Sequence, residues 1–418
     1  RDSSLRLVGS EMCIRDRVQT FLDKLLAETE EGKEADRILR SCVHCGFCNA
    51  TCPTYQLLGD ERDGPRGRIY LIKQMLETGE ATRETQLHLD RCLVCRSCET
   101  TCPSGVEYHK LLEIGRAFAE KHVPRPAAER VKRKGLLHTV PEPGRMRPLL
   151  KLAGAVKPLL PAAIAKSVPN SLPRPEAWPS HGHDRKVLLL EGCVQSVTHP
   201  QINLAAARVL DRLGIECLPA AGCCGTLAQH LSAEEKARET LRRNVDAWWP
   251  LVEQGAEAVL LTASGCAPTV MEYGLLLKDD PAYAERAARL SNIAMDISAF
   301  LKQQDLAPLG LPGQGRDPIA FHAPCSLQHG LKSPGKVESI LAGLGFQLTP
   351  VADAHLCCGS AGTYSILQPN LSGRLLENKL KNLESGKPSL IATANIGCLQ
   401  HLQGGTVMPV KHWIELLA

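Results

Sequence analysis

Aromatic residues make up only 4% of these 418 residues, and no window approaches 18 uninterrupted apolar positions. The second absence excludes a membrane-spanning helix, which needs about 20 predominantly apolar residues. The net charge is +4, with no long basic run and no interleaving of basic with aromatic side chains, so no nucleic-acid partner is expected. No GxGxxG heads a βα unit, and nothing therefore predicts flavin or nicotinamide binding within the chain. There is no serine or cysteine triad, no pair of carboxylates placed for acid-base work, and no export signal. The chemistry has to come from a different residue type.

That type is cysteine, of which there are 18. The stretch CVHCGFCNATCP places Cys42, Cys45, Cys48 and Cys52 before Pro53, and CLVCRSCETTCP places Cys92, Cys95, Cys98 and Cys102 before Pro103 at the same intervals. C-x2-C-x2-C-x3-C-P is the spacing of a ferredoxin that holds two 4Fe-4S cubane clusters. Three cysteines at three-residue steps wrap three corners of one cube, and the fourth, beside the proline, is carried to the other cube. The expected ligands are therefore Cys42, Cys45, Cys48 and Cys102 for cluster 1, and Cys92, Cys95, Cys98 and Cys52 for cluster 2. Paired structural zinc sites are the alternative, but they leave the third cysteine and the proline of each run without a purpose. Close thiol pairs and triplets would scramble in an oxidising compartment, so a cytoplasmic location is expected, and any membrane contact is expected to be peripheral.

Residues 1–17 share no pattern with the rest of the chain and resemble a translated sequencing adapter. They read as a non-native leader, with the native start expected at Val18, and Cys13 is left out of every ligand set. From Val18 to Arg40 the apolar spacing predicts helix, interrupted around Gly32. RIYLIKQMLETGE predicts a helix stopped by Gly79, and YHKLLEIGRAFAEKH another. Arg66 and Arg68, in the tight DGPRGR, read as a helix-start feature beside the clusters rather than as phosphate ligands. Residues 18–123 are thus expected to form an α-helical ferredoxin domain. Residues 124–184, with prolines throughout, form a connector. Its segment LLKLAGAVKPLLPAAIAKSVP reads as a helical arm packed on its own domain, with a membrane-surface or partner contact as the alternative. Pro158 and Pro161 prevent one continuous helix.

After Arg185 apolar strands alternate with amphipathic helices. KVLLLEGC ends at Cys193, GIECLPAAGCCG carries Cys223, Cys224 and Gly225, and AEAVLLTASGC ends at Cys266; a helix in between is expected to start at Ser232 with a capping box to Glu235. The pattern then repeats. PIAFHAPC ends at Cys325, GFQLTPVADAHLCCG carries Cys357, Cys358 and Gly359, and LIATANIGC ends at Cys398. Cys193 to Cys325 and Cys266 to Cys398 each span 132 positions, and Cys223 to Cys357 spans 134; this is a tandem duplication, expected over 185–315 and 316–418. Parallel sheets would bring each half's thiols to the carboxyl edge, where open α/β sheets gather their ligands. Two further metal sites are therefore candidates, Cys193, Cys223, Cys224, Cys266 and Cys325, Cys357, Cys358, Cys398. Adjacent cysteines do not bridge in relaxed geometry, because neighbouring Cα atoms are about 3.8 Å apart. Histidines 199, 322, 329 and 355 lie near these thiols and read as structural.

The spacings resemble the CCG domain of the heterodisulfide reductase family, which implies an unusual iron-sulfur cluster. That family's motif ends in Cys-x-x-Cys, whereas Thr269 and His401 stand here, so a four-ligand cluster, a zinc site and an empty thiol set all stay open. Taken whole, a two-cluster run followed by two CCG halves resembles the iron-sulfur subunits of respiratory 2-hydroxyacid dehydrogenases. Segments such as SCVHCGFCNATCPTYQLLGDERDGPRGR and HLCCGSAGTY are similar most of all to the glycolate oxidase (glycolate dehydrogenase) branch. The resemblance implies an α+β multidomain protein that carries electrons from FAD-binding subunits, where glycolate becomes glyoxylate, to a quinone or other acceptor. Lactate or anaerobic glycerol-3-phosphate dehydrogenase subunits share both motif types, and a thiol-reducing enzyme of the heterodisulfide reductase kind is a further alternative.

Overall fold

The computed structural model describes residues 18–159, 171–310 and 317–418. The leader assigned to 1–17, the end of the apolar connector arm and the expected boundary at 315 lie outside them. None of the described helices is long and apolar enough to cross a membrane.

The amino-terminal part is helical. Helices α1 (Glu30–Ser41), α2 (Pro65–Thr78), α3 (Arg83–Asp90) and α4 (Tyr108–His122) surround a core of Ala35, Ile38, Leu39, Ile69, Ile72, Leu76, Leu111, Leu112 and Phe118. Pro65 starts α2, and Gly79, in the left-handed conformation, ends it, the usual division of labour between those residues. The interruption expected at Gly32 lies earlier. Gly32 is inside α1, and the break comes at Thr29, whose hydroxyl accepts from the Gly32 amide and caps the helix. A threonine cap satisfies an orphan donor, and a glycine one turn into a helix does not stop it.

The proline-rich connector is more ordered than its composition suggests, because Pro126 stands at the N-cap of one helix, Pro143 starts another and Pro148 is accommodated within it. It forms α5 (Ala127–Thr139) and α6 (Pro143–Ala155). Buried Arg125 bonds to Asp90, Glu120 and Glu129 and ties the start of α5 to the helical part. Arg147 of α6 reaches the Ser196 carbonyl and Arg243 reaches Glu142, while Leu149 and Leu152 stay exposed.

The rest is two copies of one sheet. In the first, β1 (Arg185–Leu190), β2 (Ile215–Ala220), β3 (Ala256–Leu261) and β4 (Ala294–Asp296) are parallel in the order β2-β1-β3-β4. In the second, β5 (Ile319–His322), β6 (Leu348–Thr349), β7 (Leu390–Thr393) and β8 (Val410–His412) repeat it as β6-β5-β7-β8. Short β4 and β8 carry no cysteine and had no sequence signal of their own. Helices α7 (Gln201–Arg212) and α8 (Glu234–Glu253) cover the first sheet, and α9 (Lys336–Gly343), α10 (Pro369–Glu384) and α11 (Ile396–Gln403) the second.

Alternation along β1 separates two cores, since successive side chains point to opposite faces. Leu188 and Leu190 pack with Leu241, Val245 and Trp248, whereas Val187 and Leu189 join a core continuous with Phe321, Ile391 and Trp413 of the second half. The halves also share hydrogen bonds, from the Ser264 amide to the Ala394 carbonyl at 3.0 Å and from His412 Nε2 to the Thr262 carbonyl at 2.9 Å. The capping box expected at Ser232 does not form. Ser232 has φ 55°, and α8 begins at Glu234 after Ala233 without a side-chain cap.

Asp296 ends β4 and caps the short helical turn after it, accepting from the Ser298 amide at 2.8 Å, but its second carboxylate oxygen is buried without a hydrogen-bond partner among the described residues. Burial pushes its pKa up to about 6, against the hydrogen bonds from Ser298 and the charge of Lys336. Because the folded value exceeds the unfolded one, the native state binds the extra proton between about pH 4 and 6, and stability falls as pH rises through that window. The shift corresponds to about 3 kcal/mol. Asp296→Asn should remove this slope, so that melting curves of the two proteins converge near pH 4 and the variant is the more stable at pH 7.

Candidate iron-sulfur and thiol centres

The two cysteine runs are built alike. Each has a loop followed by one turn of helix, and each loop carries two left-handed residues at matching places, His44 and Gly46 in the first and Val94 and Arg96 in the second. A β-branched residue such as Val94 at φ 52° is an outlier, and strain of this kind collects at functional sites. The loops aim amides at sulfur, as where His44 N donates to Cys42 Sγ at 3.4 Å and, after the second run, Val106 N to Cys102 Sγ at 3.5 Å.

Two small cavities result. One is lined by Cys42, Cys45, Cys48 and Cys102, the other by Cys52, Cys92, Cys95 and Cys98, and Cys98 also borders the first. The fourth thiol of each run thus stands with the triplet of the other. Burial pushes the Cys42 thiol up, and the Cys48 thiol up to about 12; Cys95 and Cys98 are raised well above the usual range for the same reason. Bare thiolates are therefore disfavoured here, and a bound metal would supply the missing compensation. Four convergent sulfurs, inward-pointing amides and little room for anything else fit a thiolate-bound cluster.

Arg68 underlies the second cavity. It is 1% exposed and bonds to the His88 carbonyl, to Thr54 and to Asp63, so it is a buried support, as its place at the helix start suggested. Arg66 lines the first cavity and bonds to Glu61.

In the sheets, all eight remaining motif thiols lie where the strands end. Cys223 touches Cys193 and Cys224, and Cys224 touches Cys266. Hydrogen bonds from Cys223 and Cys266 hold Cys224 well below the usual thiol range. In the second half Cys325 and Cys357 are 3.8 Å apart, and contacts continue through Cys358 to Cys398. Cys217, the one described cysteine outside every motif, faces the core from β2.

The helical part docks on these edges. Leu93 and Cys95 of the second cavity pack with Cys325, Cys357, Tyr364 and Leu375. Tyr364 Oη donates to the Arg91 carbonyl at 3.1 Å, Thr100 meets His329 at 2.8 Å, and Arg96 pairs with Glu272 of the first half at 3.2 Å. The other cavity faces away, with Cys45 and Phe47 exposed.

Several known proteins are similar to the chain in sequence. Residues 38–106 match the 4Fe-4S dicluster domain, and residues 187–270 and 319–403 each match the cysteine-rich domain of the CCG type. The glycolate oxidase iron-sulfur subunit of Escherichia coli is 53% identical over 402 residues, covering 96% of this chain and 98% of that one. The chain belongs to the glycolate oxidase iron-sulfur subunit family. The probable glycolate oxidase iron-sulfur subunit of Bacillus subtilis is 32% identical, with 88% of this chain and 89% of that one covered. Lactate utilization protein A of Shouchella clausii is 26% identical over 55% of this chain and 98% of its own. A crystal structure of a hypothetical protein from Helicobacter pylori superposes with a TM-score of 0.52, covering all of this chain and 76% of that one, at 9% identity, a likeness of fold alone.

In the two sheets of this family member, Thr269 and His401, which stand in place of the absent fifth cysteines, make other bonds. Thr269 Oγ1 meets Thr226 Oγ1 at 2.7 Å, and His401 Nε2 meets the Ser372 hydroxyl at 3.1 Å. His401 also bonds to the Cys358 backbone, so its ring is committed to these partners rather than left with an unbonded nitrogen. The two motif glycines differ. Gly225 and Gly359 both have positive φ, but a Cβ at Gly359 would lie 2.7 Å from the Ser372 carbonyl oxygen, whereas one at Gly225 would meet only the movable tip of Leu241. Gly359→Ala should cost about 2–4 kcal/mol and Gly225→Ala less, an order that thermal melts of the two variants would check.

Proposed function

We propose that this chain is the electron-transfer subunit of a glycolate-oxidising complex, joining FAD-binding partner subunits to a quinone or other acceptor, at a cytoplasmic location with peripheral membrane contact. The observation that carries this is the pair of four-thiol cavities sharing Cys98, one open at Cys45 and the other seated on the second sheet's thiols. Cys42, Cys45, Cys48 and Cys102 would hold one 4Fe-4S cluster, and Cys52, Cys92, Cys95 and Cys98 a second. Bound there, such clusters supply one-electron transfer, which divides the two-electron equivalent a flavin receives. The chain's own residues set the surroundings. Phe47 and Cys45 present the first site to a partner, Leu93 and Tyr364 keep water from the junction with the sheets, and Arg68 balances thiolate charge from below.

We further read Cys193, Cys223, Cys224 and Cys266, and Cys325, Cys357, Cys358 and Cys398, as metal-binding sets that take an iron-sulfur cluster or zinc, since thiolate suits both. Likeness to lactate utilization protein A favours a lactate-oxidising complex as the second reading. An anaerobic pull-down of the tagged chain from its native host, assayed by dye reduction with glycolate, D-lactate, L-lactate and glycerol-3-phosphate, separates them. Glycolate-dependent activity with a co-purifying flavoprotein is the expected result. Activity with lactate or glycerol-3-phosphate alone would move the substrate, and no flavoprotein with no activity would remove the subunit assignment.

A further inference from the structure

The duplicated sheets differ at one buried place beside the thiols. Register sets His322 at the end of β5 opposite Thr393 of β7. By the 132-residue repeat, the matching positions in the first half are Leu190 and Leu261, which pack in that half's apolar core. A polar pair thus stands in the second half where an apolar pair stands in the first. His322 is 2% exposed; its Nδ1 meets the Thr393 hydroxyl at 3.0 Å, while its Nε2 is buried with no hydrogen-bond partner among the described residues. A ring nitrogen of His322 and the sulfurs of Cys358 and Cys398 all lie within 4.8 Å of one another.

An imidazole with one nitrogen fixed by a hydrogen bond and the other free is how a metal-binding histidine is oriented, and the tautomer that donates Nδ1–H to Thr393 carries its lone pair on Nε2. A core histidine kept for packing would not leave that nitrogen buried and unbonded on a ring that lies within 4.8 Å of two thiols, which are weak donors. We propose that His322, Cys358 and Cys398 bind a single thiophilic divalent cation, zinc by its donor set, and that the first half forms no such site. This rests on reading the sheet thiols as metal ligands, and it makes the two halves chemically different.

Four observations support it. Zinc bonds of about 2.3 Å to sulfur and 2.0–2.1 Å to nitrogen set tetrahedral donors roughly 3.5–3.8 Å apart, so the three need close by only about 1 Å. Cys357, whose sulfur touches Cys358 and lies 3.8 Å from Cys325, is the nearest fourth donor. Lys379 is 3% exposed and bonds only to the carbonyls of Asp353 and Ala354, without a carboxylate partner among the described residues; a dication held by three thiolates carries one negative charge, which that ammonium balances. The Asn395 side chain donates to Cys398 Sγ at 3.4 Å, and the Gly359 amide to Cys357 Sγ at 3.4 Å, completing the outer bonds.

The test is metal analysis and zinc-edge X-ray absorption on the full chain, purified anaerobically from medium supplied with iron and zinc. One zinc per chain with nitrogen and sulfur neighbours is expected, and His322→Leu, the residue of the first half, should lower it at least tenfold. Iron should be unchanged by the substitution and no lower than the about eight per chain that two cubanes hold. Cobalt(II) added to zinc-depleted wild-type protein should give tetrahedral thiolate charge-transfer bands, a result independent of how the variant folds. Full iron with no zinc, an all-sulfur shell, or zinc unaffected by His322→Leu would overturn this inference and leave the electron-transfer reading intact. Zinc present as described but iron well below eight would do the reverse.

Discussion

Cys48→Ser should abolish electron delivery to the acceptor while substrate still bleaches the flavin of the partner subunit. Cys48 lines the cavity that opens toward solvent, and burial already lifts its thiol to about 12. Only coordination makes a thiolate favourable at such a place. A serine hydroxyl is much harder to deprotonate and binds iron poorly, so the triplet would keep two of its corners. Iron should fall by about half relative to two full cubanes, and steady-state turnover with the acceptor by on the order of 100-fold or more. Stopped-flow flavin reduction, which needs nothing from this site, should keep its wild-type rate. Unchanged turnover in Cys48→Ser would count decisively against the proposed ligand set. The first sheet offers a control: Thr269 is bonded to Thr226 and Gln229, so Thr269→Val should leave the iron of the two cysteine runs untouched.

Spacing made most of this architecture legible. Local rules govern the cysteine runs, where three-residue steps and a closing proline constrain the backbone directly. The duplication in the sheets was visible because a motif thiol follows each of β1, β2, β3, β5, β6 and β7, so even a two-residue strand such as β6 could be placed through Cys357 and Cys358. Where no such punctuation exists, the sequence was silent. Strands β4 and β8 owe their existence to β3 and β7 beside them, and three-residue segments have no periodicity to read. Ser232 and Gly32 misled for a related reason. Both satisfied a local pattern, and both were overruled by the chain around them, a left-handed turn at Ser232 and a better cap at Thr29.

The site was harder to read where partners are distant in sequence. His322 reads as one more histidine near a cysteine until β7 brings Thr393 across from it. A signal was nonetheless available, since aligning the halves at their 132-residue offset sets His322 against Leu190 and Thr393 against Leu261. Comparing the two copies asks where duplication has been broken rather than kept. The joint between the helical part and the sheets had no such signal. Leu93 and Tyr364 are 271 positions apart, and nothing in either stretch announces that they pack together.

That joint gives the second large effect its reach. Asp63 is 1% exposed and holds three partners at once, Arg68 at 3.5 Å, Arg91 at 2.9 Å and His88 at 3.0 Å. Arg68 is equally buried and passes the connection to Thr54, whose hydroxyl lies 3.3 Å from Cys52 Sγ. Arg91 carries it outward, because its carbonyl accepts from Tyr364, in a short helix of the second half. Asp63→Ala would leave the Arg68 guanidinium in the interior without its counter-charge, and breaking a buried pair from one side costs about 3–5 kcal/mol. For a helical module near 100 residues, that lowers the first melting transition by roughly 15 °C or more. The cavity of Cys52, Cys92, Cys95 and Cys98 should lose its iron before that of Cys42, Cys45, Cys48 and Cys102. Two explanations of such a loss, missing charge and missing volume, are separable. Asp63→Leu with Arg68→Met replaces the pair by apolar groups and should recover much of the stability, as buried pairs often allow, yet the cation beneath the thiolates would be gone. If the double variant melts near wild type but its second cluster is harder to reduce, Arg68 acts on the cluster through its charge; equal reduction would make the pair a purely structural support.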